Sequence, residues 1–348
     1  MDPVIIAGPC AAESKEQLFT TASQLRQQFS ESEIKLSFFR VGVWKARSNP
    51  NAFKGLGEIA LPWLKEISEE FDLPVCVEIA KPEHVDVCLK YGINSVWIGS
   101  RTVVNPFDVQ ELADALSGTD MTVMVKNPIV PDLHLWAGGI ERVMKAGISK
   151  IYAIHRGFAE LKENVLRNKP LWEIPIELKV KYPEIPIICD PSHIAGNTQY
   201  IPIIAQIALD YGFNGLMIET HCCPNQALSD AEQQITPEQL YNMLHYLIFK
   251  SHNHSPDEEL LRKQRNLIHD IDSQIAELLV KRMLVVDEIA AIKTLYNIPI
   301  IQSNQWNKVV KRYQDNSLPD EHYASFIEKF LELLHQQSIL RQQKIKEI

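Results

Sequence analysis

Eight short apolar runs in the first 220 residues each lead to a side chain that can bind an anion, bind a metal ion or move a proton. The runs are VIIAGPC, KLSFFRVG, VCVEIA, SVWIGS, TVMVKN, IYAIHRG, IPIICDPSH and GLMIETH. The groups at their ends are Cys10, Arg40 with Lys45, Glu78, Arg101, Lys126, His155 with Arg156, Asp190 with His193, and Glu219 with His221. A single group of this kind is most often a solvated loop charge, but eight at equivalent positions indicate one shared site.

Six of these strand-end and nearby residues are cations, although the chain carries a net charge of −9. Guanidinium groups bind phosphates and carboxylates through two parallel hydrogen bonds. So many cations predict more than one anionic group in the ligands, for example two phosphates and a carboxylate. The set is Arg40, Lys45, Arg47, Arg101, Lys126 and Arg156.

A second set, Cys10, His193, Glu219 and Asp230, offers sulfur, nitrogen and oxygen donors. Ligands scattered along a chain are typical of a catalytic metal site, whereas a structural zinc site uses closely spaced cysteine pairs. Mixed donors accept Mn²⁺, Fe²⁺, Co²⁺ or Zn²⁺. We interpret the adjacent thiols Cys222 and Cys223 as loop or packing residues.

The elements that must position these groups alternate between strand and helix. Continuous apolar strands separated by helical patterns, one of them opened by Asn105-Pro106, indicate a parallel sheet covered on both faces. Eight units in about 240 residues predict an α/β fold of the (β/α)₈ barrel type, in which reactive groups lie at the carboxyl ends of the strands. A doubly wound sheet is the alternative, but no Gly-x-Gly-x-x-Gly motif follows the first strand.

The last hundred residues have a different character. We predict a barrel over residues 1–250, a polar linker over 251–256 and an all-helical unit over 257–348. A long helical pattern runs from Pro256 to Pro299, and further helical segments are expected near 303–315 and 320–347. Because so long an apolar stripe needs more partners than two short helices, we expect a homodimer.

The composition and net charge of the chain argue against several classes of function. A net charge of −9 argues against nonspecific nucleic-acid binding, and no apolar stretch reaches the length of a membrane span. Six cysteines without an export signal are typical of reduced thiols, so the cytoplasm is the expected compartment.

The motifs GPCAAES, GVWKARSNP, IGSRTVVN, VMVKNP, HRGF, CDPSH and MIETHCCPNQALSD resemble 3-deoxy-D-arabino-heptulosonate 7-phosphate (DAHP) synthases of the short bacterial form. That form is related to 3-deoxy-D-manno-octulosonate 8-phosphate synthases. The resemblance implies one divalent metal ion, Mn²⁺ first among the four candidates, held by Cys10, His193, Glu219 and Asp230. It places contacts to phosphoenolpyruvate (PEP) on Arg40, Lys45, Arg101, Lys126 and Arg156, and contacts to erythrose 4-phosphate on Lys45, Arg47 and Ser48.

The chain departs from that family in two places. Lys45-Ala46-Arg47-Ser48-Asn49 replaces the usual Lys-Pro-Arg-Thr-Ser, and His155 replaces an acidic residue. The octulosonate relatives carry an extra residue before the arginine, so the spacing here favours the four-carbon aldose. Three alternatives stay open. The barrel could be an octulosonate synthase or a metal-dependent sugar-phosphate aldolase, and the helical unit could be a dimerising sensor without turnover.

The C-terminal unit resembles the all-helical (AroQ-type) chorismate mutases. Arg265, Ile268, Ile271 and Asp272 match the first motif, Arg282 and Lys293 follow at the family spacing, and SILRQQ places Ser338 and Gln342 in the pocket. Arg282 and Lys293 are eleven residues apart, about 1100° around a helix, and so share one face. Arg265 points away from that face, and the resemblance implies that it reaches the partner's pocket. Gln302, Gln305 and Trp306 stand at positions that are usually charged.

Together the resemblances imply two reactions. The barrel would condense PEP with erythrose 4-phosphate, with Lys45 delivering a proton. The helical unit would rearrange chorismate to prephenate, with Arg282, Lys293 and Gln342 as the catalytic residues. The fusion further suggests that prephenate or chorismate, bound to the helical unit, regulates the barrel.

Overall fold

The computed structural model describes residues 3–46, 51–160, 165–249, 258–301 and 321–346. The chain divides into two compact units, Met1–Ser251 and His252–Ile348, each described below by itself. Arg47, Ser48, the predicted linker, the helix expected near 303–315, and Gln302, Gln305 and Trp306 lie outside the described residues.

The first unit is a closed barrel of eight parallel strands that pair in chain order, which confirms the predicted (β/α)₈ architecture. The strands are β1 (Val4–Gly8), β2 (Leu36–Val41), β3 (Val75–Ile79), β4 (Ser95–Ile98), β5 (Thr122–Lys126), β6 (Lys150–His155), β7 (Ile187–Cys189) and β8 (Gly215–Glu219). The barrel closes where β1 pairs with β8, from Val4 opposite Gly215 to Gly8 opposite Glu219.

Ten α-helices lie among the described residues of this unit. They are α1 (Lys15–Phe29), α2 (Leu61–Phe71), α3 (Pro82–Lys90), α4 (Ser100–Val103), α5 (Pro106–Leu116), α6 (Leu133–Lys145), α7 (Glu173–Lys181), α8 (Pro191–Ala195), α9 (Ile201–Asp210) and α10 (Pro237–Tyr246). Helix α5 begins as predicted, because the Asn105 side chain accepts a hydrogen bond from the amide of Phe107 at its first turn.

Strand alternation decides which side chains enter the barrel. The interior is filled by one small cluster, consisting of Ile6, Cys76, Trp97, Met124, Ile154, Ile188 and Met217. Because side chains alternate along a strand, residues two positions further on also point inward. Lys126 and Glu219 follow Met124 and Met217 in this way. The inner cluster therefore forms the floor beneath the polar groups at the carboxyl ends of the strands.

The described residues of the second unit include two long helices that pack together, α11 (Glu258–Leu295) and α12 (Glu321–Lys346). Helix α11 has 38 residues, about 57 Å at the usual rise per residue, and Asn297 follows it in the left-handed conformation, with φ 54°. Val286 and Ala290 are buried. Many other apolar side chains of α11 are exposed within the single chain, namely Leu267, Ile268, Ile271, Ile275, Leu278, Val285, Ile289 and Ile292.

No helix in the described part of the chain combines the length and apolar character that a membrane span requires.

Candidate active site

Two buried cations flank an indole ring at the bottom of the site. The guanidinium of Arg40 lies 5.0 Å, and the ammonium of Lys126 5.6 Å, from the ring centre of Trp97. The Arg40 side chain is only 2% exposed, yet its Nε and Nη1 donors have no hydrogen-bond partner within the described chain. Buried donors without partners are costly, so this geometry suits an anionic ligand that would complete them.

Arg156 is held beside these cations by two asparagines. Asn168 Oδ1 accepts a hydrogen bond from Arg156 Nη1 at 2.7 Å, while Asn127 Oδ1 accepts one from the Arg156 amide at 2.7 Å. Burial lowers the pKa of the Arg156 guanidinium to about 10, so the group stays charged at neutral pH. Neither asparagine was among the sequence predictions.

The remaining cations enclose a single cavity with the groups just described. The empty space among them is about 550 Å³, a figure that includes the open solvent at the mouth. The lining contains five of the six predicted cations and one that was not predicted, Arg167, and Arg47 lies outside the described residues. These lining cations are Arg40, Lys45, Arg101, Lys126, Arg156 and Arg167.

Three of the four predicted metal-binding groups lie together at one side of this cavity. Donor atoms of Cys10, Glu219 and Asp230 are all within 4.8 Å of one another. The fourth, His193, has its Nε2 atom 3.7 Å from Oε1 of Glu219. Thus side chains from the ends of β1, β7 and β8, and from the loop after β8, meet at one point.

Asp190 orients the imidazole of His193. It caps the first turn of α8, accepting the His193 amide at 3.1 Å, and its Oδ2 atom lies 2.8 Å from His193 Nδ1. A hydrogen on Nδ1 leaves the lone pair on Nε2, the atom that faces Glu219. Burial lowers the pKa of His193 to about 4, so the ring is neutral at neutral pH. Asp190 also binds Lys126 Nζ, at 2.8 Å, and thereby links the two sets of residues.

Glu219 presents one oxygen to the same point. Burial opposes its negative charge, but His193 and Arg40 outweigh burial and hold its pKa at about 2. Its Oε2 atom accepts a hydrogen bond from Gln233 at 2.7 Å. Its Oε1 atom lies 3.1 Å from Arg40 Nη2 but accepts no well-aligned hydrogen bond. A buried carboxylate oxygen in this state is available to a cation.

The Cys10 thiol is protonated in the absence of a cation. Burial, and then the charge of Glu219, raises its pKa to about 12. Its sulfur donates to Asp230 Oδ2 at 3.0 Å and also contacts Lys45 Nζ. One thiol, one imidazole lone pair and two carboxylates form a donor set that fits a divalent transition metal. These residues therefore fit the metal ion that the sequence motifs imply.

Lys45 lies between the metal-binding groups and the cavity. Its Nζ atom donates to the Cys10 carbonyl oxygen at 2.9 Å and lies 3.6 Å from Asp230 Oδ2. The segment that carries it is fixed in two ways. The Lys45 amide donates to the Lys54 carbonyl, and the indole of Trp44 stacks on the imidazole of His84 with ring centres 3.9 Å apart.

His155 does not reach the cavity, contrary to the expectation that every strand delivers its terminal polar group there. Since Ile154 points into the barrel, alternation turns His155 outward. Its ring lies within 6.2 Å of Trp136 and Phe213, and within 5.3 Å of Trp172. Burial, reinforced by the charge of Arg156, lowers its pKa to about 3. A neutral imidazole here acts as a packing residue.

Cys222 and Cys223 lie away from the metal-binding groups. Cys222 Sγ is 3.8 Å from the carbonyl oxygen of Gln17, and Cys223 is exposed. Between the strand and these thiols, His221 accepts the Cys223 amide on Nδ1 at 2.9 Å and faces Glu13 with Nε2 at 3.6 Å. These contacts connect the loop after β8 to α1.

In the helical unit, one small polar group lies between the two helices. Arg282 Nη1 donates to Ser338 Oγ at 2.7 Å, and both Ser338 and Gln342 are buried. The Gln342 Oε1 atom has no hydrogen-bond partner within the described residues. Lys293 Nζ donates to the Ile300 carbonyl at 2.6 Å, and Arg265 is exposed elsewhere on α11. The single chain brings Arg282, Ser338 and Gln342 together and leaves Arg265 apart.

Two family models match the chain. The model described as the DAHP synthetase I family matches residues 1–277, and the model described as chorismate mutase type II matches residues 264–343.

Known proteins resemble the barrel unit. A phospho-2-dehydro-3-deoxyheptonate aldolase of Thermotoga maritima is 28% identical over 231 residues, covering 66% of this chain and 64% of the relative. A 2-dehydro-3-deoxyphosphooctonate aldolase of Protochlamydia amoebophila is 28% identical over 246 residues, covering 66% and 84% respectively. A crystal structure of DAHP synthase from T. maritima superposes with a TM-score of 0.59 at 26% identity, covering 70% of this chain and 67% of that one.

Proposed function

The chain belongs to the DAHP synthetase I family and carries a chorismate mutase type II domain, and from this premise we propose that it catalyses both corresponding reactions. The barrel condenses PEP with erythrose 4-phosphate to form 3-deoxy-D-arabino-heptulosonate 7-phosphate and inorganic phosphate. The helical unit rearranges chorismate to prephenate.

One observation carries the proposal for the barrel: a cavity lined by six cations, two of them beside a buried indole, adjoins the four metal-binding side chains. Arg40, Lys126 and Arg156 are the groups best placed to hold the carboxylate and phosphate of PEP, because all three are buried and charged. Their charge also offsets repulsion between two phosphorylated substrates, and their fixed positions orient the reacting atoms.

Cys10, His193, Glu219 and Asp230 would hold one divalent ion, with Mn²⁺ the first candidate and Fe²⁺, Co²⁺ or Zn²⁺ as alternatives. When bound, such an ion supplies a Lewis acid for the aldehyde oxygen. Lys45 is assigned the delivery of a proton, since its ammonium lies beside both the metal-binding groups and the cavity. Arg47 and Ser48, which follow it, are assigned to the aldose phosphate.

The direct test mixes PEP, erythrose 4-phosphate and Mn²⁺ with the protein and follows the loss of PEP absorbance, with and without a chelator. Consumption that requires the metal supports the proposal. Faster consumption with a five-carbon aldose phosphate would assign the barrel to the octulosonate reaction that is named for the Protochlamydia relative.

Mn²⁺ binding is expected to release one proton and to strengthen as the pH rises. The Cys10 thiol, with its pKa near 12, must lose its proton to become a ligand, whereas His193, with its pKa near 4, is already neutral. The apparent association constant should therefore rise about tenfold per pH unit between pH 6 and 9. Calorimetry in two buffers of different ionisation enthalpy counts the protons, and a count of zero would contradict Cys10 as a ligand.

In the helical unit, Arg282 and Ser338 are assigned to the chorismate carboxylates, and Lys293 and Gln342 to the ether oxygen. No nucleophile is required, because the rearrangement needs a compact conformation and stabilisation of negative charge. The buried Oε1 atom of Gln342, which has no hydrogen-bond partner among the described residues, supports a ligand between the helices.

We also propose a homodimer formed through the exposed apolar side chains of α11, with Arg265 completing the partner's pocket. If so, mixing the inactive variants Arg265→Ala and Arg282→Ala restores roughly a quarter of mutase activity, since half the dimers are mixed and each has one intact pocket. The measurement is chorismate absorbance after the mixture has been unfolded and refolded together. No recovery, with each variant folded alone, would contradict the shared pocket.

We propose that the protein acts in the cytoplasm. We also propose that prephenate or chorismate regulates the barrel, and this proposal rests on the fusion of the two units. In the full chain, either ligand should inhibit PEP consumption. Arg282→Ala should lose that inhibition, because it removes an anion-binding group from the mutase pocket. Inhibition of equal strength in the variant, or after deletion of residues 256–348, would contradict the idea.

A further inference from the structure

Arg167 lies on the segment between β6 and α7 and is anchored to the end of the helix that carries His193. Its amide donates to the Ala195 carbonyl at 3.2 Å, at the last residue of α8. Gly196, which follows with φ 68°, packs directly against the Arg167 side chain, and a Cβ atom there would collide with Arg167 Cβ. The base of the arginine is therefore fixed relative to His193.

The guanidinium of Arg167 reaches the side of the metal-binding residues opposite His193. Nη1 donates to Asp230 Oδ1 at 3.0 Å and to Gln233 Oε1 at 2.5 Å. Gln233 in turn donates to Glu219 Oε2 at 2.7 Å. One guanidinium thus contacts Asp230 directly and Glu219 through one amide.

In these contacts, Asp230 and Glu219 use the carboxylate oxygens that point away from the other metal-binding atoms. Asp230 Oδ2 remains within 3.0 Å of Cys10 Sγ, and Glu219 Oε1 remains 3.7 Å from His193 Nε2. An arginine that competed with a metal ion for Asp230 would occupy Oδ2. Because Arg167 occupies Oδ1, its effect is to orient the carboxylate.

Asp230 needs such support because its backbone is in the left-handed region, with φ 50°. That conformation is unfavourable for a residue with a side chain, and it persists where surrounding contacts hold it. Arg167 supplies a contact from outside the loop that carries Asp230.

We propose that Arg167 is a positioning residue: it ties Asp230 and Gln233 to the His193 helix, and so tightens the binding of the divalent cation. The inference rests on the proposed function only in that Cys10, His193, Glu219 and Asp230 form the ion site. It assigns a role to an arginine that also lines the substrate cavity.

The test measures Mn²⁺ affinity from the free-ion signal in electron paramagnetic resonance, without substrates. Arg167→Met should raise the dissociation constant about 10- to 100-fold, the usual effect of losing a group that orients a metal ligand. The dissociation constant of Arg167→Lys should lie between those of wild type and Arg167→Met, because one ammonium cannot reproduce the fixed donor geometry of a guanidinium. Lys169→Met is the matched control: it removes a nearby exposed cation, paired with Glu160 at 3.3 Å, and should leave the affinity within about twofold.

The melting temperatures of the metal-free variants separate positioning from folding, since a merely structural role would lower stability without a selective loss of Mn²⁺ affinity. If Arg167→Met has an unchanged or lower dissociation constant for Mn²⁺ while PEP consumption persists, this inference alone is overturned. Failure of the wild-type protein to bind Mn²⁺ would overturn the inference together with the metal-dependent part of the proposed function.

Discussion

Lys45→Met is expected to lower the kcat for PEP consumption about 100- to 10,000-fold, the usual contribution of a positioned proton donor. The ammonium lies 2.9 Å from the Cys10 carbonyl oxygen and lines the cavity, and methionine keeps the apolar stem while removing the proton. Because proton delivery acts in the transition state, kcat should fall more than the KM for PEP rises. The measurement is steady-state PEP absorbance at a Mn²⁺ concentration that saturates the variant.

The matched control is Lys54→Met, which removes an exposed ammonium from the same connection between β2 and α2. Its backbone carbonyl still accepts the Lys45 amide, so the fold of the segment is preserved. We expect activity within about twofold of wild type, as for most surface substitutions. A Lys45→Met variant that retains more than about a tenth of wild-type kcat would rule out Lys45 as the principal proton donor.

Arg282→Ala is expected to lower chorismate turnover about 100- to 1,000-fold while leaving the rate of PEP consumption unchanged. The Arg282 guanidinium, exposed in the single chain, donates to the buried Ser338 hydroxyl at 2.7 Å, and loss of one preorganised charge has an effect of this size. The decrease in chorismate absorbance and the decrease in PEP absorbance, followed on the same preparation, measure the two activities separately.

Arg341→Ala is the comparison for this variant. Arg341 also belongs to the α11–α12 pair, but it forms a two-pronged ion pair with Asp287, at 2.7 Å for both contacts, and lies outside the polar group. Its loss should change stability and activity little, because solvent screens an exposed ion pair. If wild-type protein turns over no chorismate, the helical unit is a sensor without catalysis, the alternative considered from the sequence.

The barrel was predictable because strand-length apolar runs recur eight times and helical patterns separate most of them. Within each strand, side chains alternate between pointing into the barrel and pointing outward, and the prediction from strand ends did not use this alternation. Counting two residues from an inward side chain points Lys126 and Glu219 toward the barrel axis, and counting one residue from Ile154 turns His155 outward. The error at His155 came from treating every terminal residue as equivalent.

The charged groups of the site could be predicted, but the amides that hold them could not. Asn127, Asn168 and Gln233 act through specific contacts of 2.7 Å to Arg156 and Glu219. Asparagine and glutamine are common in loops, and nothing in their spacing distinguishes a buried amide from a solvated one. Arg167 was missed for a similar reason, since it lies twelve residues beyond the strand end.

Because β1 pairs with β8, a metal ion bound beside these strands would also affect how the barrel stays closed. Cys10 follows the first strand, and Glu219 ends the eighth, so a shared ion would bridge the seam where the two ends of the ring meet. An ion there would add a reversible link across a joint that backbone hydrogen bonds between β1 and β8, and the packing of Ile6 against Met217 inside the barrel, already hold. Depletion of metal in the cell would then loosen that seam as well as stop the chemistry, which makes the ion-free enzyme the more vulnerable form to proteolysis.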